Sequence, residues 1–558
     1  MNDNLWYRDA VFYEIAVKSF HDSNNDGIGD FNGLTMKLEY LRNLGIDAIW
    51  LLPFYKSPLR DDGYDISDYY SILPEYGTME DFKNFINKAH SYNIRVIADL
   101  VINHISDQNQ WFIDAKSDKN SKKRDWFIWN DTPDKFKDAR IIFTDTENSN
   151  WAYEADTKQY YFHRFYSQQP DLNYDNPEVR EEMKNVIRYW LNLGLDGFRT
   201  DAVPYLFKRE GTNCENLPET HEYFKEIRKM MDIEFPGTIL LAEANQWPTE
   251  AKKYFGNGDE FHMAFNFPLM PRIFISLAKR SNRSIIDIIN QISDIPDDCD
   301  WCIFLRNHDE LTLEMVTDEE RDIMYNEYAK LPKMRLNMGI RRRLAPLVDN
   351  DRSTIELLNA LIFSLPGTPI LYYGDELGMG DNIYLGDRNG VRTPMQWSYD
   401  RNAGFSKVDA EQLYAPVITN PNYHYESVNV ESELRISTSL LNWMKKIIDV
   451  RKDYKELLGR GAIEFINNKN QRVLAYIRKY ENQRMLCLFN LSRRPTYVEL
   501  DLSDYKGLKP IEAFTKAPFP RIGDLNYFIT IPPRGFFWFN LIIPETDDSM
   551  DFEGEDNY

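Results

Sequence analysis

The stretch "LDGFRTDAVPYL", residues 195–206, places two charged side chains in a short apolar segment that otherwise predicts a buried strand. Residues i and i+2 of a strand point to the same face, so Arg199 and Asp201 converge on one spot. A buried charge is costly unless it is paired. The stretch therefore predicts an arginine–carboxylate pair, and with it a polar site, at the end of a buried strand.

Seven other short apolar runs alternate with amphipathic stretches along the first two thirds of the chain. One such stretch, residues 176–194, opens with Asn176 as a cap and Pro177 in the first turn and closes at Gly194, which predicts a helix. Strands joined by helical crossovers form parallel sheets, and eight of them suit a closed (β/α)8 TIM barrel. The predicted strands are residues 11–16, 48–53, 95–103, 197–203, 238–245, 261–267, 301–307 and 369–376.

Two connections are too long for a plain barrel, and the pattern changes after it. Long segments rich in Trp, Asp, Lys and Asn between strands predict small insertions. Short alternating runs near the end of the chain predict a separate antiparallel β domain. The predicted divisions are a barrel in two parts (1–103 and 169–454), an inserted domain (104–168), a second insertion (about 310–350), a C-terminal β domain (455–545) and an acidic tail (546–558).

Composition excludes several classes of partner. The chain has 558 residues, 43% of them hydrophobic, which supports a large packed core. A net charge of −22 argues against nucleic acid or an anionic membrane as a partner. The start lacks the pattern of a secretory signal, and no apolar run approaches the ~20 residues of a membrane span. With only four scattered cysteines, the sequence predicts a reduced, cytoplasmic protein.

Polar side chains follow several of the predicted strands, and in such a barrel chemistry occurs at the carboxyl ends of the strands. A lone carboxylate there is more often a surface group or an ion pair, but several from separate strands favour a site. Cleavage of a glycosidic bond typically requires two carboxyl groups, one on each side of the sugar acetal. Glu243, flanked by apolar residues, is the better acid, and Arg199 keeps Asp201 ionised. The residues are Asn103, His104, Arg199, Asp201, Glu243, His308 and Asp309.

These segments resemble the signature segments of the α-amylase family of glycoside hydrolases. The resemblance implies a barrel with a B domain after strand three and a C-terminal β-sandwich. It also implies that Asp201 is the nucleophile, Glu243 the acid/base and Asp309 the transition-state stabiliser. The segments are "DLVINH" (99–104), "QPDLN" (169–173), "DGFRTDAV" (196–203), "LLAEANQW" (240–247) and "FLRNHDE" (304–310). The implied substrate-binding residues are Asp61, Tyr64, His104, Gln169, Arg199, His308 and Arg392.

Three longer segments resemble a branch of the family that interconverts maltose and trehalose: 209–222, 307–322 and 381–397. The resemblance implies a retaining double displacement through a covalent glucosyl-enzyme, with minor hydrolysis to glucose. The two insertions are then the candidates for a lid that excludes water. A hydrolytic α-glucosidase or oligo-1,6-glucosidase with the same triad is the main alternative; a sucrose isomerase and a non-catalytic relative are less favoured. The expected partner is a disaccharide substrate, and no organic cofactor is implied. The sequence leaves open whether the chain forms a homo-oligomer.

Two segments suggest structural metal sites. "DSNNDGIGD" (22–30) spaces Asp22, Asn24 and Asp26 like the start of a calcium loop, with Asp30 and the Ile28 carbonyl as further oxygens, although a plain Asx-rich turn is the alternative. Family members bind Ca²⁺ or Mg²⁺ at this loop. A second family Ca²⁺ site implies Asn103, Asp171 and the carbonyls of Tyr205 and Leu206 as ligands. Lys208 stands close to where an acidic ligand is typical of that second site.

Overall fold

A closed barrel of eight parallel strands forms the centre of the molecule, which is described by a computed structural model covering residues 5–544. The strands pair in chain order, and the first closes onto the eighth with Phe12 opposite Ile370. Every residue of these strands is buried except Arg95, as expected for a parallel sheet covered on both faces. The strands are β1 (Phe12–Ile15), β2 (Ala48–Leu51), β3 (Arg95–Leu100), β4 (Gly197–Thr200), β5 (Ile239–Ala242), β6 (Met263–Phe265), β7 (Asp300–Phe304) and β8 (Thr368–Tyr372).

Helices cover the barrel between successive strands. The helix before β4 shows why these segments are helical: the Asn176 side chain accepts from the Glu178 N–H, and Pro177 lies at the first position. Its apolar face, including Met183 and Trp190, is buried. No helix within residues 5–544 is both long and apolar enough to cross a bilayer. The α-helices are Trp6–Asp9, Val17–Phe20, Phe31–Leu44, Met79–Ser91, Gln110–Ser117, Pro177–Asn192, Pro218–Glu234, Pro248–Ala251, Leu269–Lys279, Arg283–Ile292, Asp318–Tyr328, Leu344–Leu347, Arg352–Ser364, Val430–Leu434, Leu440–Asp453 and Lys455–Arg460.

Two insertions rise from the carboxyl ends of the strands. The first, between β3 and β4, contains a three-stranded sheet with its own small core around Trp151 and Phe162. The second, between β7 and β8, carries the helix Asp318–Tyr328, the short helix Leu344–Leu347 and another small sheet. The inserted sheets consist of Trp129–Asn130, Trp151–Glu154 and Gln159–Phe162 in the first, and of Leu311–Thr312, Arg335–Leu336 and Gly339–Ile340 in the second; a two-stranded ribbon, Tyr55–Lys56 with Asp68–Ile72, follows β2.

The C-terminal part is a β domain of two antiparallel sheets around a separate core that includes Val473, Leu486 and Phe539. A short helix that starts at residue 455 precedes its first strand. The predicted acidic tail, 546–558, lies outside the described residues. The five-stranded sheet contains Ala462–Phe465, Val473–Tyr480, Gln483–Asn490, Phe536–Ile542 and Lys509–Glu512, and the two-stranded sheet Thr496–Leu500 and Tyr527–Ile531.

Candidate active site

Arg199 joins carboxylates from three neighbouring strands. It lies on β4 and is 1% exposed. Its Nη1 is 2.7 Å from Asp201 Oδ1 and contacts Asp99, while its Nη2 is 2.6 Å from Glu243 Oε1. A planar guanidinium with fixed donors can hold several carboxylates in a defined arrangement. The charged pair predicted from residues 195–206 is therefore one part of a larger cluster.

Glu243 follows β5 and shares this guanidinium with Asp201. Burial, together with the negative charges of Asp201 and Asp309, raises the pKa of Glu243 to about 7, against the opposing effect of Arg199. Its Oε2 accepts the backbone N–H of Ala202 at 3.0 Å. Ala202 has a φ of 51°, a left-handed conformation that is strained for a residue with a Cβ. The strained residue directs its N–H at the carboxyl group that would act as the acid.

The three predicted catalytic carboxyl groups lie in different electrostatic environments. Burial raises the pKa of Asp201, with Arg199 opposing it. Burial has the same effect on Asp309, but the charges of His308 and Arg388 outweigh it and hold the pKa of Asp309 well below its usual range. Groups whose surroundings separate their pKa values can divide acid and base roles between them. Here Glu243 is suited to carry a proton and Asp309 to remain an anion.

A chain of hydrogen bonds runs from β1 to Asp309 through His308. Glu14 is fully buried on β1, and its Oε1 lies 2.5 Å from His308 Nδ1 and accepts the His308 backbone N–H at 3.1 Å. His308 Nε2 lies 3.0 Å from Asp309 Oδ2. Burial lowers the pKa of His308, but Asp309 and Glu14 override it and raise that pKa to about 9. Sequence reasoning missed Glu14, although a carboxylate inside "FYEI" was the same signal that identified Arg199.

Two arginines from the loop after β8 also hold Asp309. Arg388 Nη1 and Arg392 Nη2 lie 2.9 and 3.0 Å from Asp309 Oδ1. Arg388 reaches Asp61 Oδ1 at 2.7 Å, and Gln169 Nε2 donates to Asp61 Oδ2 at 2.8 Å. Arg388 was not predicted. It lies four residues before Arg392 in the same segment, but only the packed loop shows that both point at one carboxylate.

These carboxylates line a chamber with a volume of about 130 Å³. Its wall includes six of the predicted catalytic and substrate-binding residues, which are Asp61, Tyr64, His104, Asp201, Glu243 and Asp309. The other predicted substrate contacts do not form the wall. Gln169, Arg199, His308 and Arg392 lie behind it and hold the wall residues.

His104 and Tyr64 are aromatic side chains in the wall of the chamber. Tyr64 stacks on His308 at a centroid distance of 5.6 Å, and its hydroxyl lies 2.8 Å from His308 Nε2. Burial is the main cause that lowers the pKa of His104 to about 4. Its buried Nε2 has no hydrogen-bond partner among the described residues. A neutral, unsatisfied imidazole at a polar chamber can accept or donate one bond to a ligand hydroxyl.

Both insertions complete the chamber. Ile142, Phe143 and Phe165 come from the first, and Glu310, Thr312 and Glu314 from the second. Arg140 connects the first insertion to other loops: its Nε is 2.8 Å from Glu215, and its Nη1 is 3.0 Å from Glu314. This unpredicted arginine links segments before and after β4 with the segment after β7.

The second predicted metal site has a different occupant. Lys208 Nζ lies 2.6 Å from Asp171 Oδ2 and donates to Asn103 Oδ1 and to the Leu206 carbonyl at 3.3 Å each. Both Lys208 and Asp171 are buried. An ammonium already uses these oxygens and would repel a dication. The position of Lys208 disfavours Ca²⁺ bound by Asn103, Asp171 and the carbonyls of Tyr205 and Leu206, which stays a prediction. The Tyr205 hydroxyl accepts a hydrogen bond from Arg140.

The loop at residues 22–30 is held by its own hydrogen bonds. Asp22 accepts the N–H groups of Asn24, Asn25 and Gly27. Asp30 accepts from Gly33 and caps the following helix, and Asp26 accepts the Ile28 N–H. Within residues 5–544, no group of three or more His, Cys, Asp and Glu side chains is arranged to hold a metal ion. Carboxylate and carbonyl oxygens do suit Ca²⁺, so a metal here stays a prediction.

Comparisons with known proteins agree with this geometry. Residues 14–338 and 340–461 match the family model described as alpha amylase, catalytic domain, and residues 463–538 match that of the maltogenic amylase C-terminal domain. The chain is 55% identical to a trehalose synthase/amylase of Mycolicibacterium smegmatis over 98% of this chain and 94% of that protein. It is 53% identical to a trehalose synthase of Pimelobacter sp. over 97% of this chain and 96% of that protein.

Solved structures show the same architecture. An isomaltulose synthase of Klebsiella sp. aligns with a TM-score of 0.77 at 30% identity, covering 96% of this chain and 99% of that one. An α-glucosyl transfer enzyme aligns with a TM-score of 0.80 at 26% identity, with the same coverage. The shared architecture includes the barrel and the C-terminal sheets, so the predicted fold class is confirmed.

Proposed function

From the membership of this chain in the α-amylase family, we propose that it is a glucosyl-transferring isomerase that interconverts maltose and trehalose. The observation that carries the proposal is the arrangement around the chamber. One guanidinium holds Asp201 and Glu243 side by side, and residues of both insertions line the chamber that contains them. The relatives named trehalose synthase, similar over nearly their whole length, support the choice of substrate.

In the proposed first step, Asp201 attacks the anomeric carbon of the non-reducing glucose of maltose. The glycosidic bond breaks, and Glu243 gives its proton to the departing 4-oxygen. The pKa of about 7 for Glu243 supports this role, because a general acid works best when its pKa lies near the operating pH. Asp309, ionised and fixed by two arginines and His308, would stabilise the positive charge that develops on the sugar ring.

In the second step, the released glucose turns within the chamber and presents its anomeric hydroxyl to the glucosyl-enzyme. Glu243, now ionised, removes that proton as the new α,α-1,1 bond forms and the bond to Asp201 breaks. Water would intercept the intermediate, so the walls contributed by Phe143, Phe165 and the Arg140 contacts would determine how much glucose is lost. A minor hydrolytic side reaction belongs to this proposal.

Two further predictions accompany it. A structural Ca²⁺ or Mg²⁺ at residues 22–30 would be bound by Asp22, Asn24, Asp26, Asp30 and the Ile28 carbonyl, and it would take no part in the chemistry. Metal content of the purified protein before and after Asp26→Ala tests this, since loss of stoichiometric metal in the variant is expected. A cytoplasmic location also remains a prediction from the sequence.

Product analysis tests the function directly. The purified enzyme is incubated with pure maltose and, separately, with pure trehalose, and the sugars are quantified over time. Each disaccharide should yield mainly the other. Glucose as the main product from the start would instead support the hydrolytic α-glucosidase.

Arg140→Ala refines this test, because it removes the contacts that join the first insertion to Glu215 and Glu314. We expect a several-fold larger share of glucose among the products. Arg188→Ala is the matched control, since Arg188 pairs with Glu181 and Glu234 on barrel helices and does not line the chamber. An unchanged glucose share in Arg140→Ala would show that these contacts do not exclude water.

A further inference from the structure

A second polar cavity, separate from the chamber, is lined almost entirely by arginine. Its volume is about 290 Å³, and its lining residues are Arg280, Arg472, Ser492, Arg493 and Arg494. None of them lines the chamber that contains Asp201. The volume is many times the ~10–15 Å³ that one water needs. The cavity can therefore hold a small molecule.

The backbone under two of these arginines is fixed by a buried asparagine. Asn490 is fully buried, and its Nδ2 donates to the carbonyls of Arg494 and Pro532 at 2.8 Å each. Its Oδ1 accepts the Ser492 N–H at 2.9 Å. An amide that satisfies several backbone groups at once rigidifies a turn. Arg493 and Arg494 are thus presented from a preorganised turn.

Hydrogen bonds join the segment of Arg472 to this turn and to the segment that follows Arg280. The Leu491 N–H donates to the Arg472 carbonyl at 2.8 Å. Asn282, which follows the helix ending at Lys279, donates through its backbone to the Gln471 carbonyl at 2.8 Å and through its side chain to the Val473 carbonyl at 2.9 Å. Segments from the barrel helices and from the C-terminal sheet therefore meet at one place, and each contributes arginine.

The charge balance of this cavity is opposite to that of the whole chain. The chain carries 88 acidic against 66 basic residues. Yet within residues 5–544 no carboxylate forms an ion pair with Arg280, Arg472, Arg493 or Arg494. The Arg534 guanidinium binds the Leu491 carbonyl close by and adds positive charge, while Asp351 faces Arg534. Unpaired like charges held close together repel each other, and an anion would relieve this repulsion.

We propose that this cavity binds a small phosphate-bearing anion, free phosphate or a phosphorylated sugar, that links the barrel to the C-terminal domain. Guanidinium forks match the oxygen geometry of phosphate and bind it in a bidentate manner. The arginines are open to solvent, so binding weakens as the salt concentration rises. Because the cavity lies outside the chamber, this inference is independent of the proposed reaction.

Calorimetric titration and thermal unfolding at constant ionic strength test the proposal. The probes are inorganic phosphate, pyrophosphate and glucose 6-phosphate, with sodium chloride as the reference. We expect saturable binding and a rise of several degrees in Tm with at least one phosphate-bearing probe. In the Arg493→Gln/Arg494→Gln variant the affinity should fall at least tenfold. Tighter binding of glucose 6-phosphate than of phosphate would identify the sugar phosphate as the source, and the reverse would identify free phosphate.

Two controls keep the result decisive. Arg521→Gln removes one exposed arginine from the same domain outside the cavity and should bind the probes like the wild type. Without any probe, the double variant at low salt should be at least as stable as the wild type, because repulsion is reduced. If the double variant does not fold, Arg472→Gln takes its place with the same expected loss. Equal effects of all anions, or equal loss in Arg521→Gln, would overturn the proposal.

Discussion

Two buried cations near the ends of β3 and β4 hold oxygen atoms in similar ways, but with different consequences. Lys208 meets one carboxylate, that of Asp171, so its charge is balanced, and it does not line the chamber that contains Asp201. Arg199 meets three carboxylates, from Asp99, Asp201 and Glu243. The surplus of negative charge at Arg199 helps to raise the pKa of Glu243 to about 7. A balanced buried ion pair thus stabilises the fold, whereas an excess of negative charge at the chamber shifts the pKa of a carboxyl group towards the range that suits acid–base chemistry.

The largest expected effect is on turnover and concerns the carboxylates around Arg199. Asp201→Asn removes the proposed nucleophile while leaving a similar shape beside Arg199, and turnover of maltose should fall by about 10⁴-fold or more. Since burial raises the pKa of Asp201, its charge disfavours the folded state, and the variant should keep a Tm at least as high as that of the wild type. Initial rates and thermal unfolding measured on the same preparation check both statements. Near-normal turnover would remove Asp201 from the mechanism.

A substitution at the Lys208–Asp171 pair should change the free energy of unfolding. Lys208→Met leaves the buried Asp171 carboxylate without its cation and should cost about 3–5 kcal/mol in the free energy of unfolding. Denaturant unfolding measures this cost, and Lys208→Met/Asp171→Asn should recover part of it. Lys137→Met, at an exposed ion pair with Asp134, is the control and should change stability by less than about 1 kcal/mol. An equally small effect of Lys208→Met would contradict the structural role.

The free energy of unfolding should depend on pH because of Glu243, one of the carboxylates around Arg199. Its pKa in the folded protein is raised above the ordinary 4.5 to about 7. Its contribution to stability is therefore fully present below pH 4.5 and is lost as the pH rises through 7, by about 3 kcal/mol. Glu243→Gln removes this loss, so the variant should gain on the wild type between pH 4.5 and 8. A pH-independent difference between the two Tm curves would argue against the raised pKa.

The smallest expected effect concerns Glu14, which acts through His308. Glu14→Gln removes the carboxylate that helps to keep His308 protonated, and kcat should fall about 10- to 100-fold, in line with the loss of a charge-assisted hydrogen bond. The alkaline limb of the pH profile should also move to lower pH, because the pKa of His308, about 9 in the wild type, would drop. The pH dependence of kcat separates this role from packing alone. A lower rate with an unshifted profile would show that Glu14 only fills space.

The sequence predicted what depends on strands and motifs, and it missed what depends on loops. Each barrel strand overlaps its predicted range, since alternating apolar runs and helical crossovers specify it locally. Asp201, Glu243 and Asp309 meet because the barrel topology brings strand ends together. Arg388 and Arg140 could not be assigned, because their contacts arise only when distant loops pack. Lys208 was noticed as a departure, but only coordinates show its ammonium among the predicted calcium ligands.

We propose that the glucosyl group is transferred while the released glucose stays inside the chamber. Maltose incubated with an excess of ¹³C-labelled free glucose tests it most directly, with the label in trehalose measured by mass spectrometry. If the released glucose stays enclosed, early trehalose should be almost free of label. Trehalose labelled in proportion to the glucose in solution, or free glucose in place of trehalose, would contradict the account.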